Sequence, residues 1–475
     1  MKRIAIVGGG ISGLSAAYAL EKKRRAGAEV EYVLYESSPR LGGVLVTEQV
    51  DGCLIEAGPD SFLTEKPWAS DLCQELGLGD QLIGSNDAHR KTYILAGGRL
   101  VEMPDGLMFM VPTKILPTVL SPLFSWKTKL RMAREWFHPP HKAKGDETVA
   151  SMVERHYGPE MVDRLADPLL SGVYGGEASQ LSVRAVMARF SDMEAKHGSL
   201  GRAMLAARKN APNPSGSPRP LFTSLKEGMH QMVDALAATL DGDSLATGAL
   251  VQAVNHEGGG WIVSAGLQSD HFDAVILAVS TLAASNLLRM GSPELAAELG
   301  SVNYSSSVTV ALGYDQSVRA SLPPGFGFLV PRSEGKRMLA ATFVHNKFPH
   351  RAPDDRALIR CFLGGARDEE ILALSDDEIL RIVREELKQI LRLTAEPLFA
   401  RVFKWRAAMA QYGVGHLERL ARIETRRLKL PGLALAGNGY NGIGVPDCVR
   451  SGTDATEQTL KSLGMGATNS VSTPI

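Results

Sequence analysis

At 475 residues the chain is too long for one compact core and implies two or three domains. Hydrophobic residues (44%) and charged residues (22%) stand in the proportions of an ordinary soluble globular protein. Lys+Arg and Asp+Glu are both 52, so no global basic field exists to attract nucleic acid. No run of ~18 apolar residues predicts a membrane-spanning helix. The chain opens directly on a predicted strand, which leaves no room for a signal peptide and points to the cytoplasm.

The first strand is Lys2 to Val7. Gly8, Gly9, Gly10, Ile11, Ser12 and Gly13 follow, with Gly8, Gly10 and Gly13 in the pattern G-x-G-x-x-G, and an alanine-rich helix begins at Leu14. In this pattern the first glycine makes a tight turn, the second lets the backbone approach a pyrophosphate and the third lets helix pack on strand. The bare N–H groups at the helix start face an anion. A second strand from Glu31 ends in Glu36, close to the ~20-residue spacing of a carboxylate that binds a ribose hydroxyl.

After Glu36 comes Ser37-Ser38-Pro39-Arg40-Leu41-Gly42-Gly43-Val44. Paired glycines let this loop fold over a diphosphate, with Arg40 to balance charge, and this extends the motif in the manner of flavin-binding proteins. Gly58, Pro59, Asp60 and Ser61 form a tight turn, read either as a seat for an isoalloxazine ring or as an ordinary surface turn. The four cysteines, Cys53, Cys73, Cys361 and Cys448, form no C-x-x-C pair and read as buried thiols in a reducing compartment. Together, G-G-G-I-S-G-L, E-S-S-P-R-L-G-G and G-P-D-S-F resemble the porphyrinogen oxidases of haem synthesis, within the wider amine-oxidase-like flavoproteins. The resemblance continues through most of the chain. The family often carries a larger or basic residue in place of Val44.

Arg90 to Leu95 reads as a strand entering a Gly97-Gly98 hairpin. The resemblance implies a cation here that holds a substrate propionate, matched best by Lys91 with Arg90 beside it; a solvated pair is the alternative. Between Met103 and Phe137, apolar residues and prolines alternate with Lys114, Lys127, Lys129, Arg131 and Arg134. This stretch reads as a bilayer-interface segment, a wall of an apolar pocket or an ordinary helical core, and peripheral membrane contact is predicted. Asp146 is expected to cap a helix carrying Val149, Met152, Val153 and His156 on one face, His156 being packed or solvated rather than catalytic. The stretch from Ser171 through Gly172 and Gly175 resembles the family's S-G-V-Y segment, whose bare backbone would line the substrate cavity; a plain loop between helices is the alternative.

Asn210 to Pro220 has a linker's composition. A helix is predicted from Lys226, with Met229, Met232, Val233, Leu236 and Leu240 inward. Strands follow at Ala249 to Val251 and Trp261 to Val263, and a buried one at Asp273 to Ala278. The resemblance places the backbone of Val251 against an adenine. From Val308 strands dominate, interrupted by one strong helix carrying Ile379, Ile382, Val383, Leu387 and Ile390 inward. By resemblance, Phe348 packs on the substrate macrocycle and Trp405 neighbours the flavin; plain core packing is the alternative for both. Ala410 stands where the family's W-x-x-A-x-P-Q-Y segment has proline. Gly437 and Asn438 end a last buried strand. Ile443, Gly444 and Val445 then open a helix whose positive N-terminus suits the reduced flavin's negative edge.

The predicted fold class is α/β with α+β inserts: a Rossmann-like FAD-binding domain in discontinuous segments (1–88, 216–295, 415–465), a helical insert (89–215), a mixed-sheet substrate domain (296–414) and a flexible tail (466–475). The resemblance implies FAD as cofactor and oxygen-dependent oxidation of protoporphyrinogen or coproporphyrinogen, with hydrogen peroxide as by-product. It also brings a tetrapyrrole substrate; a homodimer, product hand-off to a chelatase and peripheral attachment to the inner face of the cytoplasmic membrane are further expectations, with the oligomeric state left open. No metal cluster, serine triad or nucleophilic cysteine competes for the chemistry, and no side-chain base is assigned; the resemblance implies that none is needed, because the pyrrole nitrogens lose their protons as the ring becomes aromatic. An amine oxidase or carotenoid desaturase is the competing enzyme reading, and a non-catalytic flavin-binding protein the third.

Overall fold

The computed structural model describes residues 1–108, 110–143, 145–210 and 219–465. Most of the predicted linker and the predicted tail at 466–475 lie outside the described residues. Strand β1 (Lys2–Val7) lies at the centre of a five-stranded parallel sheet. Beyond β2 (Val30–Glu36) lies Leu245–Thr247; on the other side come Ala274–Leu277 and Leu433–Leu435. Helix α1 (Ile11–Arg25) covers one face. Both faces of β1 are covered, which is why Ile4 to Val7 is continuously apolar rather than alternating. The sheet therefore takes strands from the start, middle and end of the chain, a Rossmann-like domain assembled from discontinuous segments. The same weaving recurs where Phe222–Leu225 pairs between Phe62–Leu63 and Leu82–Gly84.

The closing helix, Val445–Ser462, lies directly on α1. A Cβ on Gly452 would stand 2.1 Å from the Ser12 carbonyl oxygen. Thr456 donates its hydroxyl to the Ala16 carbonyl at 3.1 Å. The two ends of the polypeptide thus meet backbone to backbone, through a glycine.

A second, mixed sheet has seven strands in the order Phe399–Ala410, Tyr304–Asp315, Arg356–Gly364, Met338–Phe343, Gly327–Leu329, Thr92–Ala96 and Arg99–Glu102. Helix Asp376–Leu391 covers it, with a Ser375–Glu378 capping box and Ile379, Val383, Leu387 and Ile390 buried. Helices Trp126–Glu135, Val149–Tyr157 and Asp167–Tyr174 share a third core, and Ile115–Leu120 lies beside them in the chain.

Several local expectations need correction. Thr148, not Asp146, caps Val149–Tyr157; its hydroxyl accepts from the Ser151 N–H. Asp146 instead accepts from the Ser182 hydroxyl and the Gly415 N–H, so it ties two segments together. The helix expected from Lys226 begins at Gln231, because Gly228 adopts φ +99° and turns the chain first. Ala249 and Leu250 precede rather than join the strand Val251–Glu257. Gly172 lies on an exposed part of helix Asp167–Tyr174, not in a loop, and Gly175 is the left-handed cap that ends this helix at φ +59°.

Replacing Gly452 by alanine should push the closing helix off α1. We expect a loss of about 1–3 kcal/mol in urea unfolding of the purified protein; an unchanged midpoint would show that the two helices can separate freely.

Candidate active site

The glycine turn divides its labour as its spacing predicts. Gly8 has φ +109°, and a Cβ there would stand 2.5 Å from the Ala278 carbonyl oxygen. A Cβ on Gly13 would fall 1.8 Å from the Gly8 oxygen, so helix and strand touch only because no side chain intervenes. Gly10 is different: an added Cβ would meet nothing within 4 Å. The space before the N-terminus of α1 is open, and the first N–H groups of a helix have no partner within it. A helix start of this kind can hold an anion.

The loop after β2 closes over this helix start. Gly42 donates its N–H to the Gly9 carbonyl at 2.8 Å, and Gly43 passes so close that a Cβ would stand 3.3 Å from Gly10 Cα. Arg40 fixes its own loop by donating to the Gly43 carbonyl at 2.7 Å. The Glu36 carboxylate accepts from Gly9 N–H (2.7 Å) and Ser38 N–H (2.8 Å), with the Ser37 hydroxyl at 3.3 Å. Ala249 donates its N–H to the Glu36 carbonyl at 2.9 Å, which delivers the buried Val251 to the same sheet edge.

The second wall is the turn Gly58-Pro59-Asp60-Ser61. A Cβ on Gly58 would strike the Val44 carbonyl oxygen at 1.9 Å, so the two loops are in contact. Trp405 donates its indole N–H to the Ala57 carbonyl at 2.9 Å. Two residues beyond it, Ala407 adopts φ +44° and donates its N–H to Ser306 Oγ at 3.0 Å, opposite a register shift in the neighbouring strand. A non-glycine residue pays ~1–2 kcal/mol for that conformation, and the bulge turns Trp405 onto the turn. At the far end, Tyr412 donates its hydroxyl to the Asn438 carbonyl (2.6 Å) and accepts from Gly442 N–H (2.9 Å). Asn438 Nδ2 donates to the Ala408 carbonyl at 2.8 Å, and Gly437 N–H donates to Ser451 Oγ at 3.0 Å. Ile443, Gly444 and Val445 thus enter the closing helix from a pinned loop. Asp447 caps that helix through Gly444 N–H and is ion-paired with Lys66 at 2.6 Å.

Between the two sheets lies a buried charge array. Arg351, 1% exposed, donates to Glu56 at 2.7 Å, and also to Ser224 Oγ and the Leu225 carbonyl. Lys347 donates to both oxygens of Asp60 at 3.0 Å and to Ser61 Oγ at 3.1 Å. Arg360 donates to the Gly58 carbonyl and stands 3.8 Å from Asp60, while its Nε has no hydrogen-bond partner in the protein. Burial alone would raise the Asp60 carboxyl, but Lys347, Arg360 and the Ser61 hydroxyl outweigh it and hold the group well below the usual range. Burial raises Glu56 against the pull of Arg351. Glu56, Asp60, Arg351 and Arg360 line a small pocket with Phe348 and Leu54.

The predicted substrate residues are less gathered. Lys91 is half-exposed and paired with Glu102 at 3.1 Å; Arg90 is half-exposed and paired with Asp87 at 3.6 Å. Neither stands in a desolvated pocket, because both sit at the open start of their strand. Gly172 faces outward, whereas Gly175 is buried against Ser305 and Met409. Phe348 is 1% exposed and lies beneath the Lys347 ammonium and the Arg351 guanidinium at 5.2 and 5.8 Å from its ring centre, a cation–π packing role.

His156 is fully buried. Its two ring nitrogens face Glu135 (3.1 Å) and Glu194 (3.0 Å), and Glu194 is also held by Arg155. Burial works against the charged ring, but the two carboxylates together keep His156 above its usual value. This is an ion-pair cluster within the helices. Sequence reasoning overlooked Arg360, Arg351, Lys347 and Glu56 as a unit. The available signal was a lone arginine inside the apolar strand Leu358-Ile359-Arg360-Cys361-Phe362-Leu363.

The glycine turn, the Glu36 carboxylate and the closing helix form one connected unit. Residues 11–460 match the flavin-containing amine oxidoreductases. The chain belongs to that family, and its cofactor is FAD. It is 35% identical over 473 residues to coproporphyrinogen III oxidase of Bacillus subtilis (strain 168), covering 97% of this chain and 98% of that one. It is 28% identical to protoporphyrinogen oxidase 2, chloroplastic/mitochondrial, of Arabidopsis thaliana, covering 97% and 94%. A solved structure from Exiguobacterium sp. 255-15 superposes with a TM-score of 0.87 at 30% identity, over 98% of this chain and 99% of that one. Cyclohexylamine oxidase of Brevibacterium oxydans IH-35A shares the fold, with a TM-score of 0.68 at 20% identity over 98% and 99%.

Because the Cβ of Gly10 would enter the open space and touch no protein atom, Gly10→Ala should leave apoprotein stability within about 0.5–1 kcal/mol of wild type. The same change should weaken FAD binding at least tenfold in a flavin-fluorescence titration. Equal FAD affinity would show that the diphosphate does not approach this turn.

Proposed function

We propose that the protein oxidises a porphyrinogen stepwise to the porphyrin in haem synthesis, with dioxygen as acceptor and hydrogen peroxide as by-product, and that coproporphyrinogen III is preferred to protoporphyrinogen IX. The observation that carries this reading is the end-to-end match to the Bacillus subtilis coproporphyrinogen III oxidase. When bound, FAD supplies the hydride acceptor, and dioxygen takes up the electrons and protons.

The chain's own residues position and shield. In this reading residues 1–88, 216–295 and 415–465 hold FAD. Gly8 to Gly13, with Arg40, Gly43 and Val44, receive the diphosphate, and Glu36 with Ser37 takes the ribose. Val251 lies by the adenine. Gly58 to Ser61 and Trp405 face the isoalloxazine, and Gly437, Asn438 and Ile443 to Val445 face its pyrimidine edge. Residues 296–414, with the insert at 89–215, form the substrate side, with the backbone at Gly175 in its lining. Protons leave from the pyrrole nitrogens, so no side-chain base is assigned. The reading extends to a homodimer and to transfer of the porphyrin to a chelatase.

No helix among the described residues is long and apolar enough to cross a membrane. We propose instead that helices Ile115–Leu120 and Trp126–Glu135 rest in a bilayer interface. Leu116, Leu120, Trp126 and Phe137 are each at least 67% exposed, and the Lys129 ammonium lies 4.7 Å from the Trp126 ring centre. Apolar residues that would insert thus stand beside cations that would meet anionic head groups.

Anaerobic mixing with coproporphyrinogen III should bleach bound FAD, whereas an amine or a carotene should not; bleaching by an amine alone would reject the reading. In steady state, kcat/KM for coproporphyrinogen III should exceed that for protoporphyrinogen IX at least tenfold, about 1.4 kcal/mol. The protein should float with phosphatidylglycerol vesicles, and the L116E/F137E double variant should lose most of that association. Wild-type protein left at the bottom of the gradient would reject the membrane proposal.

A further inference from the structure

We propose that Lys347 is a positioning residue that sets the redox poise of the flavin. This rests on the reading that the turn Gly58–Ser61 faces the isoalloxazine. Lys347 comes from the other sheet's side, at the end of the short helix Val344–Lys347, and is 9% exposed. An ammonium has three donors. Here all three are accounted for on two adjacent residues of that turn: both Asp60 oxygens and the Ser61 hydroxyl. Its stem is held from the sides, with the ammonium 4.6 Å from the ring centre of Phe222 and 5.2 Å from that of Phe348. Arg360 supplements it by binding the Gly58 carbonyl of the same turn.

The charge count gives this clamp a consequence beyond fixing a loop. The array holds three cations, Lys347, Arg351 and Arg360, against two carboxylates, Glu56 and Asp60. In a water-poor interior that surplus favours negative charge beside it. A two-electron-reduced flavin over the turn carries such charge. Without Lys347, Asp60 keeps the neutral Ser61 hydroxyl at 2.7 Å and a single cation, Arg360, 3.8 Å away, and on that reading faces the ring as a poorly compensated anion.

The test uses the FAD-loaded full chain. In Lys347→Met the two-electron midpoint potential, measured by equilibration with a reference dye, should fall. Sulfite, which adds to oxidised flavin and leaves it anionic, should bind at least tenfold more weakly by absorbance. The tenfold change corresponds to about 30 mV for a two-electron couple. Lys347→Arg should restore both values. The double variant D60N/K347M should recover most of the loss, because no anion is then left unpaired. A Lys347→Met holoenzyme within threefold of wild type in sulfite affinity, with unchanged potential, overturns the inference. Should that variant fail to retain FAD, Asp60→Asn decides: tighter sulfite binding supports the inference, and no change overturns it. A wild-type chain that takes up no FAD would overturn the functional reading itself, and this inference with it.

Discussion

The structure depends on a set of charges placed where water does not reach. Glu56 and Asp60 belong to the N-terminal stretch of the chain, and each lies in the seam beside the second sheet. The cations that meet them, Lys347, Arg351 and Arg360, all come from that second sheet and its short helices. Separation of the two halves would leave each with buried charge uncompensated. Removing one member of a pair as enclosed as Glu56–Arg351 costs ~3–5 kcal/mol. Apolar packing could hold the halves at a range of angles, whereas directed bonds from Arg351 to Glu56, Ser224 and Leu225 fix one. The geometry at Gly58 to Ser61 is therefore set jointly by both halves.

What could be read in the sequence, and what could not, follows from the range of the interactions. The glycine turn was legible because Gly8 and Gly13 answer to contacts within one strand–turn–helix unit. Glu36 was legible because a fixed strand length brings it back to that unit. The helix Asp376–Leu391 announced itself by period and cap. The charge array was not legible, since its members are separated by about 290 positions and no local pattern links them. Local composition said less about the backbone at Gly172 and Gly175. Two glycines near a tyrosine read as open backbone, yet a helix absorbs the first and ends on the second. Lys91 and Arg90 show the same limit: a pair of cations has no exposure until the strand beside it is known.

The helical insert solves a different problem, that of presenting apolar side chains outward without coming apart. Trp126–Glu135 exposes Trp126 and Leu130 on one side. Its inner side is not held by apolar contact alone. Glu135 reaches under the helix to His156, to the Ser199 hydroxyl at 2.9 Å and to the Leu200 N–H at 2.6 Å. A buried carboxylate with three donors is a directional anchor, so the outer face keeps its orientation even though its apolar residues gain nothing from the fold. Stability is spent here on orientation rather than on burial, consistent with a surface meant to meet something outside the chain.

The closing helix shows the same logic applied to charge. Its N-terminus carries roughly half a positive charge, of use to a reduced flavin only if nothing nearer cancels it. Asp447, 4% exposed in the first turn, is well placed to do so. Lys66 meets it at 2.6 Å, and Arg450 stands 3.7 Å from its other oxygen. The carboxylate can then cap Gly444 without extinguishing the field beyond it. Lys66 belongs to the first cofactor segment and Asp447 to the last, so the pair also joins the chain's two ends a second time, after the glycine contact at Gly452. On the functional reading, opposite ends of the flavin ring system then meet positive character from independent sources: a helix N-terminus whose acid is neutralised, and a turn whose acid is held by Lys347. A ring so flanked can accept a hydride without a cationic side chain touching it directly.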